Sequence, residues 1–358
     1  QAIARVRAVA PKARLLVCGC AAERTPELFL KKQNVRLVTG ARQKSKILAL
    51  LDEEGVRLDE EDRRYDEMLP PVSLKTRAFV KIQDGCNNFC SYCIIPYLRG
   101  RSRSRTVESA AEEILSAPAE EVVITGIDVS SFRDGEKDLA DLLLAVKDAP
   151  CRIRLGSLEV NVVTPRLLDA AKSVRDFAPH FHLSLQSGSD GVLKKMNRHY
   201  TAEEYLQKVE LIRSYFPDAA ITTDVITGFP TETEEQFAET CAFVRKVGFS
   251  QIHCFSYSRR TGTNAAKLAE LPAETKKRRL HEMLAVAGQL RKEYETKFLG
   301  KVLALVPEEK KGEYTTGNSQ NYIRLYVRGE VLKKARVVAV EVMEDGLLAV
   351  QEAKGANY

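Results

Sequence analysis

Three cysteines crowd into eight residues, Cys86-Asn-Asn-Phe-Cys90-Ser-Tyr-Cys93. Thiolates are soft ligands, so this spacing points first to a metal. A structural zinc site takes four ligands, usually as two separated pairs. Here no fourth ligand is near, because the five histidines stand at 180, 182, 199, 253 and 281. Three thiolates on one tight loop suit a 4Fe–4S cube, with three irons bound and the fourth open to a substrate or cofactor. Zinc with a distant fourth ligand, or a coincidental buried set, are the alternatives that spacing leaves open. The other cysteines are Cys18, Cys20, Cys151, Cys241 and Cys254, and the last three sit in apolar contexts that read as buried structural positions. A chain of 358 residues is too long for a small secreted disulfide scaffold, and it shows no secretory signal, so a reducing cytoplasm is expected. It opens Gln1-Ala2-Ile3 without an initiator Met, from which we expect that the N-terminus of a longer protein is missing.

Charge is informative in its distribution. The total is +6, yet Lys75–Arg105 carries seven basic residues against one acid and Arg259–Lys301 eleven against five. Asp52–Glu67, with nine acids and three arginines, offsets one of them. Two concentrated positive segments suggest a polyanion such as RNA, with Arg99, Arg101, Arg103, Arg105, Lys276, Lys277, Arg278 and Arg279 as its contacts; solvated helix faces are the plainer reading. A 44% hydrophobic and 29% charged composition fits a globular chain, and no apolar run approaches the ~20 residues that cross a bilayer, so no membrane partner is expected.

The elements that must hold these residues follow from periodicity. Ala13–Val17 and Val35–Thr39 read as strands, with helices near Glu27–Lys32 and Lys44–Leu51, as in part of a doubly wound α/β domain over 1–51. Residues 52–74 are acidic, end in Pro70-Pro71 and read as a linker. Between 75 and 299 come six strand-like runs, Ala78–Ile82, Glu121–Thr125, Arg152–Leu155, Phe181–Leu185, Ala219–Ile226 and Ser250–Phe255, each separated by room for a helix. That alternation predicts a parallel sheet curled into a partial (β/α)6 barrel. Glycine and polar residues follow every strand, as expected where such a barrel builds its site. Glu274–Leu299 reads as a long basic helix, and 300–358 as a small antiparallel β-barrel built from four short apolar runs.

Placed after the first barrel strand, Cys-x3-Cys-x2-Cys resembles the radical S-adenosylmethionine (SAM) superfamily. More narrowly, Gly85-Cys-Asn-Asn-Phe-Cys-Ser-Tyr-Cys-Ile-Ile-Pro-Tyr97 with Arg99-Gly100 resembles the methylthiotransferases. So do Leu185-Gln-Ser-Gly-Ser-Asp190, Met196-Asn-Arg-His-Tyr200, Asp224-Val-Ile-Thr-Gly-Phe-Pro-Thr-Glu-Thr233 and Phe255-Ser-Tyr-Ser-Arg-Arg-Thr-Gly-Thr263. The C-terminal piece resembles their TRAM RNA-binding barrel, and the first fifty residues the second half of their N-terminal domain. The likeness thus covers essentially the whole chain.

The resemblance implies a radical SAM barrel in which Cys86, Cys90 and Cys93 hold a 4Fe–4S cluster whose open iron chelates SAM. Reduction by one electron would cleave SAM to a 5′-deoxyadenosyl radical. It further implies cofactor contacts at Ser157, Glu159, Gln186, Arg198, Gly228 and Glu232. The family carries a second 4Fe–4S cluster on three cysteines of its N-terminal domain; Val17-Cys-Gly-Cys-Ala21 matches the third, with Cys20 as the ligand, and the first two would precede residue 1. One cluster is therefore expected to be completable here, without full methylthiolation by this chain alone. Arg99-Gly-Arg-Ser-Arg-Ser-Arg105, Arg154-Leu-Gly-Ser-Leu-Glu159 and His180-Phe-His-Leu-Ser-Leu-Gln186 look most like the bacterial branch acting on threonylcarbamoyladenosine beside the tRNA anticodon. Ser189 and Thr231 depart from that branch, which commonly has Cys and Gly there. The implied partners are tRNA and an electron donor such as flavodoxin or ferredoxin. The alternatives are a sister enzyme acting on isopentenyladenosine or a ribosomal-protein aspartate, and an RNA-binding protein with a structural metal site.

Overall fold

The structure, a computed structural model, describes residues 1–42, 44–58, 64–67 and 76–352. At the N-terminus, α1 (Ala2–Val9), β1 (Leu15–Val17), α2 (Cys20–Arg24), α3 (Pro26–Leu30), β2 (Val35–Thr39) and β3 (Gly55–Arg57) form a three-stranded parallel sheet with helices on it. Ala22, Val35 and Val38 are its buried centre, packed against Ile3, Leu15, Phe29 and Val56. The third strand corrects the expected linker over 52–74, which here begins by pairing Gly55–Arg57 with Leu37–Thr39. A three-residue strand has too little periodicity to stand out from its acidic surroundings. Lys44–Leu50 is a 3-10 helix rather than an α-helix. Within that expected linker, 59–63 and 68–74 lie outside the described residues.

The central body contains β4 (Arg77–Asp84), α4 (Ile95–Arg99), β5 (Arg103–Ser104), α5 (Val107–Ser116), β6 (Glu121–Gly126), α6 (Leu139–Ala145), β7 (Arg152–Leu155) and β8 (Ser157–Leu158). It continues with α7 (Pro165–Ser173), β9 (His180–Leu183), α8 (Asp190–Lys195), α9 (Ala202–Tyr215), β10 (Ala220–Thr227), α10 (Glu234–Val247), β11 (Gln251–Ser256) and α11 (Ala273–Thr296). Helix starts are written locally. The side chains of Thr106, Asp138, Thr164, Thr201 and Thr233 accept from first-turn amides, three of them in capping boxes.

Two four-stranded sheets, β5-β4-β6-β7 and β11-β10-β9-β8, curl into the expected partial barrel. They are continuous through Gly156, where β7 becomes β8 and changes partner from β6 to β9. Side chains alternate along each strand. Val80, Ile82, Ile124, Ile153, Phe181, Val225 and Ile252 pack outward into one core with the helices. Their neighbours Lys81, Thr125, Arg154, His182, Asp224 and His253 face the lumen instead. Full burial of each aliphatic side chain stabilises this body by about 1.5–3 kcal/mol, which is why the polar set is left inside the curl.

The C-terminal body is a closed barrel of β12 (Val302–Lys311), β13 (Tyr314–Asn318), β14 (Arg324–Arg328), β15 (Ala335–Met343) and β16 (Gly346–Gln351). β13 is a strand that the four apolar runs did not announce, because Tyr314-Thr-Thr-Gly-Asn318 is polar. Its pairings are antiparallel except between β14 and β16, which run parallel. Gly317 is required there: a Cβ would stand 1.9 Å from the Val306 carbonyl oxygen.

This small barrel closes the N-terminal end of the large one. Glu121, with no exposure, receives Arg154 at 2.8 and 2.9 Å and Arg77 at 2.8 Å. Arg154 and Arg152 also donate to the Ser319 and Ala304 carbonyls, each at 3.2 Å, and Tyr322 stacks on His180 with ring centres 4.5 Å apart. Burial opposes ionisation of Glu121, but Arg154, Arg77 and Arg152 outweigh it and hold its carboxyl below the ordinary value. A carboxyl depressed by folding contributes stability above its unfolded pKa, near 4.3, that is lost as pH falls through the folded value. Thermal melts across pH should therefore find Glu121→Gln less stable at pH 7, with a shallower acid loss below about pH 5. Parallel curves for the two proteins would remove Glu121 from the acid response.

Candidate active site

The cysteine loop leaves the C-terminal end of β4 through a turn that only glycine fits. Gly85 has φ 73°, and a Cβ there would lie 2.0 Å from the Arg101 carbonyl oxygen. The Cys86 amide donates to the Gly100 carbonyl at 3.2 Å, closing the loop base. Its far side is tied to the end of α8: the Ser91 amide donates to Met196 O at 2.9 Å and its hydroxyl to Lys195 O at 2.7 Å. The Asn197 side-chain amide reaches the carbonyls of Asn88 and Phe89, both at 3.1 Å. These bonds present three half-buried sulfurs on one backbone.

Burial pushes the Cys86 thiol up to about 12 and raises Cys93 as well, so a metal must displace protons to bind here. A mononuclear zinc with ~2.3 Å bonds needs sulfurs roughly 3.8 Å apart. Among the described residues the ligand atoms that gather within 4.8 Å of one another are those of His182, Asp224 and His253, not the three sulfurs. A cube, which carries each thiolate on a different iron, suits the wider set.

Arg198 joins this loop to the barrel. Its Nη1 donates to Cys90 Sγ at 3.3 Å, its Nε to the Tyr200 hydroxyl and its Nη2 to the Ser184 carbonyl, both at 3.1 Å. Its Nη2 also pairs with Glu159. Burial pushes the Glu159 carboxyl up, against the pull of Arg198. A cavity of about 240 Å³ opens beside them, lined by Asn88, Asp128, Ser130, Glu159, Asn197 and Arg198 among others. Asp128 accepts from the Asn88 side chain at 3.2 Å, and its amide donates to Gln83 Oε1 at 2.8 Å. None of Asn88, Asp128 and Asn197 is among the expected site residues, although Asn88 and Asn197 lie inside the Gly85–Tyr97 and Met196–Tyr200 motifs and Asp128 stands just after the second barrel strand.

Of the six expected cofactor contacts, the cavity gathers Glu159 and Arg198. Ser157 is exposed on β8. Gln186, at φ 68°, ties β9 to β10 through its backbone, donating to Asp224 O at 2.8 Å and accepting from the Ile226 amide at 2.9 Å. Gly228 and Glu232 form a self-contained turn. The Gly228 amide donates to Glu232 Oε2 at 2.9 Å, and buried Arg279 holds the same oxygen at 2.7 Å. The Glu232 carboxylate thus braces its own turn. Thr231, where the branch commonly has Gly, sits at φ 68°, the left-handed region that favours glycine.

The basic set also divides. Buried Arg279 pairs with buried Glu232 and, at its outer edge, with the exposed Glu234. Arg103, 6% exposed, pairs with Asp84 at 3.2 Å and donates to Arg99 O at 2.7 Å. Arg105 is buried against Glu113 and Ser109. These three are internal braces and not surface phosphate contacts, because a charge count does not distinguish a solvated cation from a buried, paired one. Arg101, Lys277 and Arg278 are exposed, while Lys276 is half-buried and pairs with Glu270 at 2.8 Å. Arg99 instead reaches back to the N-terminal sheet: its Nε donates to Cys20 Sγ at 3.0 Å and its Nη1 to Asp84 at 3.4 Å. Cys20 is thereby brought beside α4, a few residues beyond Cys93.

Residues 80–244 match the model of the radical SAM superfamily. The threonylcarbamoyladenosine tRNA methylthiotransferase MtaB of Bacillus subtilis is 34% identical over 97% of this chain and 82% of its own length. MtaB of Chlamydia pneumoniae is 38% identical over 86% and 73%. A tRNA-2-methylthio-N(6)-dimethylallyladenosine synthase of Desulfitobacterium hafniense is 37% identical over 75% and 63%. The chain belongs to the threonylcarbamoyladenosine tRNA methylthiotransferase family of radical SAM proteins.

Proposed function

We propose that this protein inserts sulfur and a methyl group at C2 of N6-threonylcarbamoyladenosine next to the tRNA anticodon. The observation that carries the reading is the junction at Arg198, which touches Cys90 of the loop and Glu159 of the cavity at once, in a chain aligned with MtaB almost end to end. Cys86, Cys90 and Cys93 would hold the 4Fe–4S cluster and the adjoining cavity SAM, which together supply radical chemistry when bound. The chain's own part is positional. Gly85 and Asn197 set the loop, Arg198 keeps a cation beside Cys90 while orienting the Glu159 carboxylate, and Asp128 presents an acceptor to a bound amine. Cys20, held by Arg99, would face a second cluster. A flavodoxin or ferredoxin would supply electrons in the cytoplasm, where tRNA is processed; the exposed Arg101, Lys277 and Arg278 would neutralise phosphates.

The test is nucleoside mass spectrometry after anaerobic reaction of the reconstituted full-length protein, carrying all three cysteines of the second cluster, with tRNA bearing either modified adenosine. Methylthio gain on threonylcarbamoyladenosine alone is expected. Gain on dimethylallyladenosine instead would move the chain to the sister activity.

A further inference from the structure

The lumen of the large barrel holds a second group of metal-ligating side chains that the cysteine loop does not use. His182, Asp224 and His253 stand on three adjacent strands, β9, β10 and β11. Register places Asp224 beside His253 and Thr222 beside His182. Their chain neighbours Phe181, Val225 and Ile252 belong to the helix-facing core, so the three side chains point the other way, into the curl. All three are partly exposed, so the lumen gives a small ion access to them.

One ligand atom from each lies within 4.8 Å of the other two, and among the described residues they are the one such group. His182 Nε2 is 3.5 Å from Asp224 Oδ2, too long for a good direct hydrogen bond. An ion bound at ~2.0–2.2 Å to each ligand would separate such atoms by about 3.4 Å. His253 closes the same space, its ring 5.8 Å from that of His182. A ring rotation moving its nitrogen on the order of 1 Å completes the set. The other nitrogen of His182, Nδ1, lies 3.0 Å from the Thr222 hydroxyl, which also meets His180 Nε2 at 2.9 Å. An outer partner of this kind fixes ring orientation and tautomer in metal sites, leaving Nε2 as the free ligand.

We propose that His182, Asp224 and His253 form a divalent transition-metal site inside the barrel, distinct from the cysteine cluster. Two imidazoles and one carboxylate favour zinc, iron(II), cobalt(II) or nickel(II) over magnesium and calcium, which take oxygen ligands, and over the soft ions that take thiolates. The coordination positions left open face the lumen, so a metal here would offer a Lewis-acid contact to a group entering the barrel.

The probe is Co²⁺ alone, titrated anaerobically into protein with its iron–sulfur cluster assembled and loose iron removed, and followed by visible absorption. One Co²⁺ per chain is expected, with a nitrogen–oxygen spectrum, no sulfur-to-cobalt charge transfer, and displacement by Zn²⁺. Affinity should fall at least tenfold in His253→Ala and in Asp224→Asn and stay unchanged in His281→Ala, an exposed control. Asp224→Asn keeps size and hydrogen-bonding capacity, so an unchanged thermal midpoint separates ligand loss from unfolding. Absence of binding, equal binding by His253→Ala, or a thiolate spectrum would each overturn the site and leave a metal-free His–Asp cluster.

Discussion

Cys90→Ala is expected to fold with a thermal midpoint near the parent's and to lose the iron–sulfur chromophore and SAM cleavage together. The argument is ligand number. Three thiolates on one loop leave one iron open; two leave the cube short of its anchorage. Because Cys90 would contact the metal itself, its loss should exceed the roughly 10–100-fold that removing an outer partner produces. Iron and sulfide counts after anaerobic reconstitution measure this directly, beside release of 5′-deoxyadenosine. Cys254→Ala is the matched control: burial pushes that thiol up to about 11, and it packs against the helix-facing core. Full iron retained by Cys90→Ala, or equal loss in Cys254→Ala, would end the assignment of the loop.

The second large effect concerns Arg198, which has two jobs that different variants can pull apart. Its side chain is 4% exposed and that of its partner Glu159 is 24% exposed. Removing one member of a buried pair costs about 3–5 kcal/mol, because the other charge is stranded. The residual exposure of Glu159 puts Arg198→Ala near the lower end. At ~2–4 °C per kcal/mol for a domain of this size, the midpoint should fall by on the order of 10 °C. Arg198→Met combined with Glu159→Gln strands no charge and should recover most of that stability. It should not recover SAM binding, since neither the cation beside Cys90 nor the carboxylate in the cavity returns; a loss of roughly 10–100-fold is expected. Equilibrium binding of SAM to the reconstituted double variant decides. Parent affinity there would make Arg198 a structural brace and nothing more.

Local information carried much of the architecture. Each of the six barrel strands lies within about two residues of its periodic run at either end, because a strand buried on its helix side must be apolar at alternate positions and the intervening caps are single residues. The cysteine triplet was legible for the same reason, its eight residues being one loop. What needed the tertiary structure was pairing. β3 and β13 are strands because of their neighbours, not because of their own residues. Arg103, Arg105 and Arg279 look like phosphate contacts in one dimension and are buried braces in three, since their carboxylate partners stand 8 to 47 positions away. His182, Asp224 and His253 are separated by whole helices and meet only because adjacent parallel strands carry them into one lumen in register. Sequence spacing determines which side chains share a loop or a face; long-range register alone decides which loops and faces meet, and thus which charges are neutralised and which remain for chemistry.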